Sequence, residues 1–142
     1  RKPVDIRKML HEIAADYAEA KEHGVEFSAD IDNSTPTNFP GDYRMLRGAI
    51  VNLIENALQA APVRRVRLVS HCVDSKVLIR VEDDGPGVPG EVLSKIFDPT
   101  KSSGTGLGLA IARKAIEEHG GHLTAQNLTP GLRVEIELPV RA

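Results

Sequence analysis

Three glycines stand at alternate positions directly before a stretch of helical periodicity, in "TKSSGTGLGLAIARKAIEEHGG": Gly104, Gly106 and Gly108. A helix N-terminus exposes unpaired N–H groups and the positive end of the helix dipole, which favour phosphate oxygens, and glycine lets backbone approach a ligand closely. The pattern predicts a phosphate-binding segment, although a flexible loop with a helix cap has the same letters. A Walker A motif is excluded because no Gly-Lys-Ser/Thr follows, and a Rossmann fingerprint because no strand leads directly into the glycines.

Two asparagines and one aspartate could complete a nucleotide site. Asn52 and Asn56 stand four residues apart, on one face of a predicted helix and beside its apolar stripe. Their amide oxygens could hold the hydrated Mg2+ that accompanies a nucleotide, but bonding of both amides to a neighbouring loop backbone explains the pair equally well. In "VEDDGPGVP", Asp83 ends a predicted strand and could accept a hydrogen bond from an exocyclic amine such as that of adenine. A Gly-Pro turn with exposed acids is the simpler explanation of that segment taken alone.

The first half of the chain must position the asparagines. Helical spacing of apolar residues predicts a helix from Val4 to about His23, and alternation predicts a half-buried strand over "VEFSADID". "NSTPTNFPGD" is predicted to be a loop. Asp42 is predicted to cap a second helix that runs to about Ala61 before Pro62. This helix is apolar around most of its circumference and should be deeply packed.

The second half contains two predicted hairpins. "VRLVSHCV" and "KVLIRVED" flank Asp74 and Ser75, in a turn that could also take in Val73 and Lys76. A short helical stretch, 92–97, precedes a long helix from about Gly106 to His119, and a turn around Pro130 and Gly131 joins "HLTAQN" to "LRVEIELPV". The order of elements predicts an α+β fold with a mostly antiparallel sheet covered on one face by helices.

Composition excludes several classes of function. A chain of 142 residues with 41% hydrophobic and 4% aromatic residues and no Trp fits one domain, 1–142, with an aliphatic core. The net charge of -2 predicts no nucleic-acid partner, and Arg64, Arg65 and Arg67 alternate with apolar residues as on the solvated face of a strand. Cys72 is the single cysteine, which suits a reducing compartment. No apolar run approaches the roughly 18 residues of a membrane span, so a cytoplasmic domain is expected.

The order and spacing of these motifs is more specific than any one of them. "NLIENALQA", "VEDDGPGVP", "IFDPTKSSGTGLGLAIA" and "EEHGGHLTAQN" together resemble the N, G1, F and G2 boxes of the catalytic and ATP-binding domain of sensor histidine kinases. These kinases belong to the GHKL superfamily with gyrase, MutL and the heat-shock chaperone ATPases. The resemblance covers nearly the whole chain and is greatest to the nitrogen-regulation branch. It implies the Bergerat-type two-layer α/β sandwich, with ATP and Mg2+ as cofactors and a mobile lid between the F and G2 boxes.

The resemblance also implies a role for individual residues. Asn56 matches the Mg2+ ligand and is the implied catalytic residue, with Asn52 as a supporting metal ligand. Asp83 matches the carboxylate that binds the adenine amino group. The full set of implied ATP-binding residues is Asn52, Asn56, Gln59, Asp83, Gly85, Gly87, Val88, Ile96, Phe97, Lys101, Gly104, Thr105, Gly106, Leu107, Gly108 and Leu109.

Three departures from the family pattern stand out. Gln59 and Ala60 replace a basic residue and a Tyr that many members carry. Only "DPTKSS" lies between Phe97 and the first glycine, so the lid looks shortened; Lys101 within it could reach a phosphate or be a solvated loop lysine. Asn52 stands where the ATPases of the superfamily carry a catalytic Glu, and Glu55 is one turn off that position, so activation of water is unsupported.

The implied reaction is transfer of the γ-phosphoryl group of ATP to a histidine on a separate dimerisation domain of the same protein, with a response regulator downstream. The chain is expected to be a fragment of a longer protein. The fragment is expected to be monomeric and the full-length protein homodimeric, and a membrane anchor elsewhere in the full-length protein is compatible with this domain. His11 is not the expected acceptor, because the Pro of the acceptor box is absent and this segment matches the domain's own first helix. The alternatives are a regulatory nucleotide-binding module with little or no transfer, a gyrase-like ATPase and a serine-phosphorylating anti-sigma kinase.

Overall fold

The structure is a computed structural model that describes residues 2–20, 24–60, 62–98 and 108–140. Seven strands and four helices lie within these ranges. In chain order they are β1 (Lys2–Val4), α1 (Ile6–Ala20), β2 (Glu26–Ile31), β3 (Phe39–Gly41), α2 (Tyr43–Gln59), β4 (Arg65–Val73), β5 (Lys76–Asp83), α3 (Gly90–Leu93), α4 (Gly108–Glu117), β6 (His122–Leu128) and β7 (Gly131–Pro139).

Five strands form the main sheet in the order β2-β4-β5-β7-β6. β2 runs parallel to β4, and the other three pairings are antiparallel. Helices α1, α2 and α4 pack on one face, where alternate strand residues such as Leu68, Ile79 and Ile136 are buried. The opposite face carries paired charges, among them Arg80 with Glu135 at 2.6 Å. The predicted α+β sandwich with a mostly antiparallel sheet is confirmed.

Helix α2 has the predicted start and packing. The Asp42 carboxylate accepts a hydrogen bond from the Met45 backbone N–H at 3.1 Å, which satisfies one of the free donors of the first turn. Leu46, Ile50 and Leu53 are among its fully buried residues. The helix ends at Gln59, two residues before the predicted end, and it therefore carries both asparagines in its second half.

Two short strands were missed by the sequence reasoning. Val4, predicted to begin a helix, pairs instead with Phe39 in an antiparallel ladder between β1 and β3. β3 lies inside the segment predicted to be loop. Three residues are too few for alternation to be visible, and the pairing joins segments far apart in sequence, so no local signal marks either strand.

The two hairpins are confirmed, with sharper turns than predicted. Val73 pairs with Lys76, so the first turn consists of Asp74 and Ser75, whose φ values of 51 and 62 are those of a type I′ turn. In the second hairpin Gly131 pairs with Leu128 and begins β7 instead of belonging to the turn. Arg65 and Arg67 lie exposed on β4, as expected for a solvated strand face.

The helical segments around the glycine-rich stretch differ from the prediction at their ends. α3 covers Gly90–Leu93, and a turn continues to Phe97, where a helix over 92–97 was expected. α4 begins at Gly108 and ends at Glu117; its predicted start at Gly106 lies outside the described residues. Within the described ranges, no helix is long and apolar enough to cross a membrane.

Candidate functional site

The site is built around the carboxylate of Asp83, the last residue of β5. Only 6% of this residue is exposed, and its Oδ1 accepts a hydrogen bond from the Gly85 backbone N–H at 2.9 Å. Burial raises the pKa of Asp83 above its ordinary value, although backbone hydrogen bonds from Gly85 and Leu132 oppose the shift. A carboxylate has about four lone-pair sites. Asp83 is therefore oriented by its own loop and can still accept a hydrogen bond from a ligand.

The neighbouring Asp84 fastens the end of β5 to the segment that follows α2. Its Oδ1 accepts hydrogen bonds from the backbone N–H groups of Arg64, at 2.8 Å, and Arg65, at 2.9 Å. These two bonds hold the pKa of Asp84 below its ordinary value. At Gly85, a Cβ atom would lie 3.0 Å from the Asp83 carboxylate and 3.5 Å from the Ala60 side chain. The end of α2 and the end of β5 are thus in contact distance at Gly85.

The rest of the loop is held by the β6–β7 hairpin. The Asn127 side chain accepts a hydrogen bond from the Val88 N–H at 2.9 Å and donates one to the Val88 carbonyl at 2.7 Å. Gly87 has a φ of +73, and a Cβ there would lie 2.7 Å from Asn127 Oδ1. Gly131, with a φ of +112, lies so close to Asp83 that a Cβ would be 1.8 Å from the Asp83 carbonyl oxygen. Glycine is required at both positions.

Asn52 and Asn56 are half-buried on α2, beside the buried Leu53 and Ala57. Among the described residues, neither amide side chain has a hydrogen-bond partner, so the loop-backbone explanation of this pair finds no support there. No group of three or more His, Cys, Asp or Glu side chains in the same residues could hold a metal ion. Two amide oxygens do fit Mg2+ that takes its other ligands from phosphate and water, because Mg2+ binds oxygen and keeps several waters.

Two further polar residues of α2, Gln59 and Glu55, bear on the predicted site. Gln59, in the last position of the helix, is exposed. Glu55 is also exposed, and it accepts a hydrogen bond from the Tyr17 hydroxyl of α1 at 2.6 Å. Burial and this hydrogen bond raise the pKa of Tyr17. Glu55 is therefore engaged with α1 through Tyr17, a contact that the sequence did not predict.

The described ends of the glycine-rich region are buried. Ile96 is 3% exposed and Phe97 is half-buried after α3, while Leu109 is fully buried in the first turn of α4 behind Gly108. The short segment before the glycines lies outside the described residues after Asp98. The other residues predicted to contact phosphate also lie outside them, namely Lys101, Gly104, Thr105, Gly106 and Leu107.

The structure thus brings together Asp83, Gly85, Gly87 and Val88 in one loop, next to the end of α2. Sequence reasoning missed three residues that hold this loop, namely Asp84, Asn127 and Gly131. Asp84 could have been suspected from its place inside the Asp-x-Gly-x-Gly motif, and Gly131 from its place beside a turn proline. Asn127 ends the segment "EEHGGHLTAQN" of the resemblance, but nothing there marked it as a contact of this loop, because it is an exposed polar residue on an edge strand far from Asp83 in sequence.

Comparison with known proteins gives one family and a consistent set of relatives. The family described as "Histidine kinase-, DNA gyrase B-, and HSP90-like ATPase" matches residues 41–142. The sensor histidine kinase GtrS of Pseudomonas aeruginosa is 37% identical, over 96% of this chain and 28% of its own length. The sensory histidine kinase/phosphatase NtrB of Rhodobacter capsulatus is 34% identical, over 98% of this chain and 44% of its own length. The chain spans less than half the length of these relatives.

Solved structures of kinase domains share the fold. The nucleotide-free catalytic domain of histidine kinase ThkA superposes with a TM-score of 0.84 at 29% identity, over 96% of this chain and 95% of that one. Full-length ShkA, solved in complex with AMPPNP, superposes with a TM-score of 0.82 at 29% identity, over 99% of this chain and 31% of that one. The domain architecture described above is therefore that of histidine kinase catalytic domains.

Proposed function

Because the chain belongs to the family of histidine kinase-, DNA gyrase B- and HSP90-like ATPases, we propose that it is the ATP-binding catalytic domain of a sensor histidine kinase. It binds Mg-ATP and presents the γ-phosphoryl group to a histidine on a separate dimerisation domain of the same protein. The resulting phosphohistidine then supplies a response regulator. The fragment acts as a single cytoplasmic domain, 1–142, that is monomeric by itself, and the full-length protein is a homodimer.

The observation that carries the proposal is the buried, oriented carboxylate of Asp83. Burial of this carboxylate is unfavourable, and its raised pKa shows that the Gly85 and Leu132 N–H groups offset that cost only in part. An exocyclic amine of adenine would supply a donor at this position. Glycine at positions 85 and 87 lets the neighbouring loop pack closely against Asp83 and Asn127, which fixes the loop beside the carboxylate.

The phosphates are assigned to the opposite end of the site. The N-terminus of α4 at Gly108, which follows the glycine-rich segment, offers free N–H groups to phosphate oxygens. Asn56, supported by Asn52, offers amide oxygens to Mg2+, which when bound neutralises phosphate charge during transfer. Positioning and charge neutralisation are sufficient for phosphoryl transfer, so no general base is assigned on this chain. The engagement of Glu55 with Tyr17 argues against a gyrase-like hydrolysis of ATP.

Calorimetric titration with AMPPNP, with and without Mg2+, tests the binding site. The wild-type chain should bind the analogue, and Mg2+ should tighten that binding. Asp83→Asn should lower the affinity for AMPPNP with or without Mg2+. Asn56→Ala should instead remove most of the increase in affinity that Mg2+ causes. Asn38→Ala, which removes an exposed loop amide, is the matched control and should bind as the wild type does. Absence of binding by the wild type near millimolar AMPPNP would refute the proposal.

Transfer is tested by adding the phosphoacceptor domain of the full-length protein and ATP labelled on its γ-phosphate. Labelled phosphohistidine should form on the acceptor, and Asn56→Ala should abolish it. Nucleotide binding without phosphohistidine would instead indicate a regulatory module. Steady release of phosphate from the isolated chain, lost in Asn56→Ala, would indicate an ATPase.

A further inference from the structure

We infer that Asn127 is a positioning residue for the base-binding loop, residues 84–88 after β5, and that it sets both the affinity and the base selectivity of the nucleotide site. This inference rests on the proposed function and concerns a residue outside the implied set of ATP-binding residues. Asn127 lies near the end of β6. Both polar atoms of its side chain form hydrogen bonds with the loop at Val88.

The two hydrogen bonds form a closed pair. Asn127 Oδ1 accepts from the Val88 N–H at 2.9 Å, and Asn127 Nδ2 donates to the Val88 carbonyl at 2.7 Å. A side-chain amide in this geometry replaces the backbone partner that a neighbouring strand would offer. Val88 follows the end of β5 by five positions and has left the sheet, so the Asn127 side chain satisfies both of its backbone polar groups.

The loop contains few unanchored residues between the Asn127 contact and Asp83. The Gly85 N–H donates to Asp83 at one end, and Asn127 holds Val88 at the other. Only Pro86 and Gly87 lie between these two anchored residues. A Cβ on Gly87 would lie 2.7 Å from Asn127 Oδ1 and 3.0 Å from the Gly131 carbonyl oxygen, so the loop already touches the hairpin behind it.

Release of Val88 would therefore change the position of the loop against the Asp83 carboxylate. The carboxylate selects a base that presents an amine to it, and this selection depends on the distance that the loop imposes between base and carboxylate. A site with a released loop admits several base positions and discriminates less between an adenine amine and a guanine carbonyl. If Asn127 only stabilised the hairpin, its removal would lower the stability of the fold and leave selectivity unchanged.

Asn127→Ala tests the inference, with Gln126→Ala as the matched control. Gln126 is also an exposed amide and is adjacent on the same strand, where it pairs with Arg133 across the ladder. We expect Asn127→Ala to lower the affinity for ADP by about fivefold or more, a loss smaller than the combined free energy of the two hydrogen bonds that it removes. GDP affinity should change less, so the ADP-to-GDP affinity ratio should fall. Gln126→Ala should leave both affinities and the ratio unchanged.

Two further measurements separate positioning from folding. The Val88 amide should exchange with solvent faster in Asn127→Ala, and by a larger factor than the amides of the central strand β5. Asn127→Asp keeps the acceptor for the Val88 N–H but places a second acceptor against the Val88 carbonyl. It should therefore also lower the ADP-to-GDP ratio.

The inference and the proposed function fail in different ways. Wild-type binding of ADP together with an Asn127→Ala affinity within about twofold of it, and an unchanged ADP-to-GDP ratio, would overturn the inference and leave the proposed function intact. If the wild type bound no nucleotide, the proposed function would fail. Unchanged exchange of the Val88 amide in Asn127→Ala would refute the positioning role with or without nucleotide binding.

Discussion

Gly87→Ala should destabilise the protein more than its backbone conformation alone explains. The φ of +73 is in the left-handed region, where a residue with a Cβ costs about 1 to 2 kcal/mol. The added Cβ would also lie 2.7 Å from Asn127 Oδ1, closer than real Cβ contacts occur. Relief of this clash requires overpacking or loss of the Asn127 hydrogen bonds, at a further cost of about 1 to 3 kcal/mol.

Gly24→Ala is the matched control for the backbone term. Its φ is +70, and among the described residues nothing lies within 4 Å of the added Cβ. Both substitutions restrict the unfolded chain equally. The free energy of unfolding, measured in urea, should therefore fall by about 1 to 2 kcal/mol in Gly24→Ala and by about 2 to 5 kcal/mol in Gly87→Ala.

Nucleotide binding gives a second readout of the same pair. Gly87→Ala should lower the affinity for ADP, because the displaced loop borders the Asp83 carboxylate. Gly24→Ala should leave that affinity unchanged, because Gly24 lies between α1 and β2. Equal losses of stability in the two variants would refute the clash argument. An unchanged ADP affinity in a folded Gly87→Ala protein would show that this loop does not border the base.

Three further outcomes follow from the geometry. Burial raises the pKa of Asp83 above 3.8. The stabilising contribution of Asp83 to the free protein is therefore largest below that pH, and it is lost as the pH rises through the raised pKa. A ligand amine, in contrast, needs the ionised carboxylate of Asp83 as its acceptor. ADP affinity measured against pH should fall on acidification already above pH 3.8, and Asp83→Asn should remove this dependence. His119→Ala should lower the free energy of unfolding in urea by about 1 to 3 kcal/mol, because the buried His119 Nε2 accepts a hydrogen bond from the Asp42 backbone N–H at 2.9 Å. Substitution of the exposed His122 by Ala should lower it far less, and equal losses in the two variants would contradict this reasoning. Glu55→Gln should leave phosphotransfer to the acceptor domain unchanged, and a large loss of transfer would contradict the assignment of no base.

Local patterns predicted the long elements because each of them repeats its signal several times. Helix α2 buries Leu46, Ile50 and Leu53 at helical spacing, and its cap, Asp42, stands where the sequence indicates. The same holds for the alternation in β4 and β5. Short elements repeat nothing, which is why β1, β3 and the true extent of α3 were missed.

The candidate site shows the same division. The order of the motifs pointed to Asp83 and to the glycines of its loop, because these residues are close together in sequence. The depth at which Asp83 is buried, and the raised pKa that follows, depend on distant parts of the chain such as β7, whose Leu132 pairs with Asp83 and whose Gly131 lies against it. Local sequence contains no measure of either.

By itself, the sequence determined the fold class, the resemblance to histidine kinase catalytic domains and the residues that could contact a nucleotide. Each of these follows from the local spacing of residues and from the order of motifs along the chain. Only the tertiary structure decided that Asn127 holds Val88, that Gly131 lies against the Asp83 carbonyl and that Glu55 faces Tyr17. These contacts join residues separated by tens of positions, and they exist only because the sheet and its helices bring distant segments within hydrogen-bond distance.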